Sequence, residues 1–137
     1  MNLIGYSIGL VSISVCLCIC IIYVDIIEDI KQLFLLLELP FIVAPFEAEA
    51  QCASLEMLGV VDGVITEDSD VFLFGAQNVF KNVFQDTKNI ESYQMKNITA
   101  QMGLTRNDLI ALTYFLGSDY SVGVRGIGVI NAMEILQ

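Results

Sequence analysis

The chain contains no histidine. That absence removes imidazole general acid–base chemistry and histidine-ligated zinc from the candidate functions. Positive charge is almost as scarce. The basic residues are Lys31, Lys81, Lys88, Lys96, Arg106 and Arg125, against 16 acids, and the net charge is −10. A protein that held nucleic acid through bulk charge would carry the opposite balance. Clustered acids remain compatible with a cation site, because the cations they bind neutralise them. Residues 1–24 carry no charge of either sign. No internal repeat or low-complexity segment is visible. What the chain does have is apolar residues. Of its 137 residues 55% are hydrophobic and 16% charged, which excludes disorder and leaves room for one domain with a modest core.

Cys16, Cys18 and Cys20 share an apolar run, and Cys52 stands apart. This spacing matches neither a zinc module nor a disulfide framework, so buried free thiols in a reducing compartment are expected. The Asn97-Ile98-Thr99 sequon has meaning only in a secreted chain. Residues 3–24 are long enough to cross a bilayer, which takes about 20 apolar residues. They have no basic start and no clear small-residue cleavage site, so they make a poor signal peptide. A membrane anchor, a buried helix or strand pair, and an accidental leader are the three readings. The polar face of a surface helix is missing, so a single helix over 3–24, outside the sheet domain, is the expectation.

From residue 25 the pattern turns amphipathic. Ile26, Ile27, Ile30, Leu33, Phe34 and Leu37 recur at helical spacing. Pro40 closes that helix. Phe41-Ile42-Val43-Ala44 then reads as a buried strand. Pro45 suits a helix entry, with Ala48, Cys52 and Leu55 on one face and Gly59 as the cap. A second strand covers 60–66. Asn78 to Phe84 alternates loosely, 86–89 is a polar turn, and 90–95 is a return strand. A short helix at 98–102 stops at Gly103. Thr105 with Asp108 forms an N-cap, and Leu109, Leu112, Phe115 and Leu116 make the buried stripe.

Two acidic runs follow the two expected strands: Glu47-Ala48-Glu49-Ala50, and Thr66-Glu67-Asp68-Ser69-Asp70. Carboxylates converging from two strand ends are the donors a divalent cation takes. Each run also has an ordinary explanation. Glu47 and Glu49 complement a helix dipole, and Ser69 or Asp70 caps a helical turn. At the other end, Gly123, Gly126 and Gly128 precede a helix start at Val129. Backbone N–H groups exposed there can bind phosphate, although tight turns use the same pattern.

Taken together the motifs resemble one family. Ala44-Pro45-Phe46-Glu47-Ala48-Glu49-Ala50-Gln51-Cys52-Ala53, Thr66-Glu67-Asp68-Ser69-Asp70 and Leu116-Gly117-Ser118-Asp119-Tyr120, in that order, look like the internal region of the XPG/flap-endonuclease family. The run at 74–82, FGAQNVFKN, is most similar to the XPG branch of excision-repair nucleases. The resemblance covers roughly residues 30–137. It implies an α/β fold, PIN-like or 5′–3′ exonuclease-like, with a small, mainly parallel sheet flanked by helices. It divides the chain into an apolar leader or transmembrane helix at 1–24, a core at 25–116 and the start of a helix-two-turn-helix at 117–137.

The same resemblance assigns Glu47, Glu49, Asp68, Asp70 and Asp119 to a metal-dependent catalytic site with Mg²⁺, or Mn²⁺ as substitute. It assigns Gly123, Arg125, Gly126, Ile127 and Gly128 to duplex binding, near a K⁺ ion. It implies phosphodiester hydrolysis at single-strand/double-strand junctions in DNA repair, in the nucleus, among repair-protein partners. The family's N-terminal region brings further acids, basic side chains and a gateway for the single strand. Residues 1–24 offer no counterpart, Glu38 stands where a glycine is usual, and the sequence ends inside the duplex-binding motif. An incomplete nuclease region is therefore expected. The alternatives are a non-catalytic DNA- or protein-binding remnant, or a membrane-anchored protein with a structural cation.

Overall fold

Residues 2–8, 11–17, 24–86 and 89–136 are described by a computed structural model, with backbone alone for the first two stretches. Two compact units result, residues 1–95 and 96–137.

The first unit is built on a mixed sheet in the order β1-β2-β3-β4-β5. The strands are β1 (Asn2–Ile8), β2 (Val11–Leu17), β3 (Gly63–Ile65), β4 (Asn78–Lys81) and β5 (Glu91–Gln94). The α/β class holds. Pairing is parallel at the centre, where β2, β3 and β4 run together, and antiparallel at both edges. β3 is buried along its whole length, as a central strand covered on both faces should be. The expected return strand at 90–95 is β5.

The single helix expected over 3–24 is not found. Residues 2–8 and 11–17 form an antiparallel pair, and β2 continues into the sheet through Val15, Cys16 and Leu17 against Gly63, Val64 and Ile65. The run is rich in β-branched residues, which favour an extended pleated surface over a helix. Positions 9, 10 and 18–23 of that expectation lie outside the described residues, as do 87 and 88 of the polar turn. Among the described residues no helix is long and apolar enough to cross a membrane.

The expected strand at 41–44 is also displaced. Those residues are not in a strand, and β2 takes the place beside β3. Prolines at both ends of the segment shorten any ladder it could make. Phe41 instead packs on Phe34 of α1 (Val24–Leu36), the ring centroids 6.0 Å apart and tilted by 46°.

Helix α2 (Ala48–Met57) packs on β2, β3 and a 3₁₀ turn at Ser69–Phe72. Cys52, Ala53 and Leu55 are buried on it, and Val64, Val71 and Val79 are fully enclosed. Each buried valine of this kind contributes about 1.5–3 kcal/mol. Cys52, expected as a free thiol, is disulfide-bonded; it lies on the face of α2 that packs on the sheet. α2 closes at Gly59, whose N–H donates to the Glu56 carbonyl while Val60 N–H reaches Leu55 O. This is the paired bonding of a Schellman end.

The second unit contains α3 (Met95–Met102, from its last residue before the division), α4 (Arg106–Leu116) and α5 (Val129–Leu136). Leu104, Leu112 and Ala132 form its core, with Leu109, Phe115, Ile127, Met133 and Leu136 against them. Leu116, expected in the buried stripe, is exposed, because the helix ends there and the chain turns at Gly117. Thr105 and Asp108 form the expected capping box.

Candidate functional site

Glu47 occupies the N-cap of α2 with extended backbone (φ −71°, ψ 129°), and its side chain makes no capping bond. It is exposed, whereas Glu49, one residue into the first turn, is buried.

The second acid pair sits where β3 ends. Asp68, rather than Ser69 or Asp70, is the N-cap of the 3₁₀ turn. Its Oδ1 accepts from the Asp70 N–H at 2.9 Å, and its own N–H donates to Thr66 Oγ1 at 3.0 Å. Asp68 is exposed and Asp70 half-buried. The loop carrying them is tied to the end of β4. Thr66 N–H donates to Phe80 O at 3.2 Å, Asn82 N–H donates to Glu67 Oε1 at 2.7 Å, and Lys81 Nζ donates to Ser69 Oγ at 3.2 Å. Asn82, the residue after β4, is in the left-handed region (φ 59°).

The structure therefore brings α2 and the 3₁₀ turn into contact, each with its acid pair. Asp119 belongs to the second unit. It lies exposed on a tight turn closed by Ser118 and Ser121, which exchange backbone bonds of 2.7 and 3.2 Å. The acids are oxygen donors of the kind a hard divalent ion takes, so the donor chemistry fits. Among the described residues no three histidine, cysteine or acidic side chains are gathered to hold a metal ion. Glu47 stands at the exposed cap position while Glu49 is buried in the turn, and Asp68 accepts from its own backbone cap.

The glycines at the other candidate site divide. A Cβ on Gly123 would meet the backbone of Leu116 and Gly117 at 2.6 Å, so this glycine is required by packing within the turn. A Cβ on Gly126 or Gly128 would meet nothing within 4 Å. That stretch of backbone, with exposed Arg125 beside it, is open to another molecule. Ile127 is half-buried and packs on the α4–α5 core, which ties the turn to the helices.

Glu56 has a role that its sequence position did not reveal. It is buried in α2, and its carboxylate accepts from the N–H of Gln77 (2.7 Å), the N–H of Asn78 (2.7 Å) and Asn78 Nδ2 (2.9 Å). It thereby seats the start of β4. The spacing of four from Cys52 put it on the inward face, and that was the available signal.

The XPG I-region, as a family profile, matches residues 38–119, more than half of the chain. This chain belongs to the XPG I-region family. The chain is 51% identical over 106 residues to the DNA excision repair protein ERCC-5 homolog of Xenopus laevis, covering 77% of this chain and 9% of that protein. It is 44% identical over 112 residues to the DNA repair protein RAD2 of Saccharomyces cerevisiae, covering 82% of this chain and 11% of that protein. Among solved structures, the catalytic core of Rad2 in complex with DNA substrate superposes with a TM-score of 0.79 at 42% identity, over 85% of this chain and 37% of that one. The chain thus spans about a tenth of the length of these two curated relatives.

Proposed function

We propose that this I-region is part of a structure-specific DNA endonuclease of XPG type, acting in DNA repair in the nucleus. One observation carries the reading. The stretch matched by the family profile, 38–119, contains all five candidate acids, from Glu47 to Asp119. The likeness to a Rad2 core bound to a DNA substrate supports DNA as the partner. In this reading Glu47, Glu49, Asp68, Asp70 and Asp119 supply part of the ligand set for Mg²⁺, with Mn²⁺ as substitute. When bound, such ions polarise a phosphodiester and activate the attacking water. The chain's own residues hold the donors: the cap and first turn of α2 present the first pair, and the cap and first turn of the 3₁₀ segment after β3 present the second. Gly126, Gly128 and Arg125 offer N–H groups and one positive charge to a duplex backbone, with Gly123 and Ile127 fixing the turn. A K⁺ ion at that turn belongs to the same proposal.

The looseness of the acid grouping favours a second reading, in which this chain binds DNA or a protein without cutting. The test is a Mn²⁺ titration of the purified chain followed by melting temperature and paramagnetic NMR broadening. The nuclease reading expects stabilisation by mass action and broadening centred on Asp68 and Asp70, both abolished in Asp68→Ala. An unchanged melting temperature and no local broadening leave the non-catalytic reading standing.

A further inference from the structure

We infer that Lys81 is a phosphate-contacting residue at the rim of the acid pair. This rests on the reading of the Asp68–Asp70 loop as the edge where DNA is handled. β3 and β4 are parallel neighbours, so their C-terminal ends emerge at one edge of the sheet, where open α/β sheets bind ligands. Asp68 and Asp70 follow β3 at that edge, and Lys81 is the last residue of β4.

The ammonium of Lys81 is placed there by more than strand order. Its Nζ donates to Ser69 Oγ at 3.2 Å, and Ser69 lies between the two acids in the chain. The residues on either side of Lys81 are each bonded to this loop, Phe80 O to Thr66 N–H and Asn82 N–H to Glu67 Oε1. β4 therefore delivers the lysine to a fixed place against the acid loop.

Its charge has no ionic partner among the described residues. Among the described residues Lys81 forms no ion pair, although it stands beside two acids, while Lys31 is paired with Glu28 at 3.2 Å. An ammonium carries three donors, and a neutral hydroxyl takes one of them. Two N–H donors and the full positive charge remain for an anion. A phosphodiester drawn to cations at the acids would bring its oxygens to this rim, where a lysine acts as a point charge. The sequence places no other basic residue between Lys31 and Lys88.

The experiment measures binding of a splayed-arm DNA duplex to the whole chain across KCl concentrations of about 50–200 mM, as log Kd against log salt. Loss of one phosphate contact makes the slope shallower by about 0.7–0.9. Lys81→Met is expected to show that change and Lys81→Arg to keep the original slope, while Lys31→Met, which removes an ion-paired surface lysine, leaves it unaltered. If Lys81→Met fails to fold by circular dichroism, Lys81→Gln asks the same question with a donor kept for Ser69. A wild-type slope in the uncharged variant overturns the inference alone. Equal loss in Lys81→Arg and Lys81→Met also overturns it, because geometry rather than charge would then be the cause. No salt-dependent binding by the wild type overturns the DNA reading itself, and this inference with it.

Discussion

Gly123 packs against Gly117 so closely that a Cβ on Gly123 would lie 2.6 Å from the Gly117 nitrogen and 2.7 Å from the Leu116 carbonyl oxygen. Gly123 also has φ 69°. The turn that carries Asp119 is closed by this approach and by Val124 N–H donating to Phe115 O at 2.8 Å. Gly123→Ala should therefore add steric overlap to the cost of a left-handed residue, about 1–2 kcal/mol for the latter alone. Gly126→Ala, at φ 89° with open space around it, should show only the backbone cost. Urea unfolding monitored at the helices would rank the two variants. Gly123→Ala the milder of the pair would contradict this packing.

Glu38 offers the opposite experiment. It sits at φ 54° just past α1, with its N–H on Leu35 O (3.2 Å) and the Leu39 N–H on Phe34 O (2.8 Å). These are the bonds of a Schellman end, with a glutamate in the place glycine prefers. Glu38→Gly relieves about 1–2 kcal/mol of left-handed strain and loses about 0.5–1 kcal/mol to unfolded-chain entropy. It also removes a negative charge from the negative end of the helix. The variant should be more stable by roughly 0.5–1 kcal/mol, visible as a higher urea midpoint with an unchanged slope.

Removing the Glu56 carboxylate should be severe. Glu56→Ala strands two backbone N–H groups and the Asn78 amide that now share one buried acceptor pair. Hydrogen bonds to a charged group are each worth about 1.5–3 kcal/mol, and buried donors left unpaired are costly. A loss of at least about 3 kcal/mol is expected on that basis. Glu56→Gln keeps one acceptor oxygen and should fall between. Hydrogen exchange at Gln77 and Asn78 should accelerate first, since their protection depends on this side chain.

What could be read from residue order was what depends on neighbours in sequence. Thr105 and Asp108 meet across three residues, so the capping box was visible. The acid motifs and the boundaries of α1 and α5 were visible for the same reason. The contest between 11–17 and 41–44 for the place beside β3 was not, because it is decided by ladder length and by the prolines flanking one competitor. Glu56 was hidden because its partners lie 21 and 22 residues away. Lys81 became meaningful only once β3 and β4 were known to be parallel neighbours. Whether the two acid pairs share one space depends on side-chain direction at a cap, and spacing carries no information about that.

The capping box predicts a pH effect with a definite sign. Asp108 has its pKa lowered from the usual carboxylate value, first by the hydrogen bond from the Thr105 hydroxyl and then by that from the Thr105 N–H. A carboxylate with a depressed folded-state pKa contributes stability above its unfolded value, and that contribution disappears as pH falls through the folded value. Stability of the α4 end should thus be flat near neutrality and decline in the acidic range below the ordinary aspartate pKa. Asp108→Asn should flatten that part of the pH profile in denaturation experiments. An Asp108→Asn profile parallel to the wild type would show that the box contributes nothing through charge.

On the proposed reading, the 137-residue polypeptide by itself is expected to bind DNA weakly and to cut it slowly. Phosphoryl transfer by metal ions needs several carboxylates converging on them and cations set against the developing charge. Among the described residues no three acids are gathered for a metal, and residues 1–24 contribute neither acid nor base. Lys81 can contact a phosphate at the rim, yet one lysine held by a hydroxyl does not replace a set of basic residues around the scissile group. Arg125 lies exposed in the glycine-rich turn of the second unit, and the proposed reading gives it to the duplex backbone rather than to the bond cut. Helix-terminal N–H groups near Gly126 and Gly128 act without metal ligands, so the proposed duplex binding is expected to be salt-sensitive and independent of the acids. Incubation of the chain with a bubble duplex and Mn²⁺ gives the measurement. Cleavage at the junction that vanishes in Asp70→Ala would defeat this prediction, because it would require the acids of this chain, with a second copy or on their own, to complete a working site.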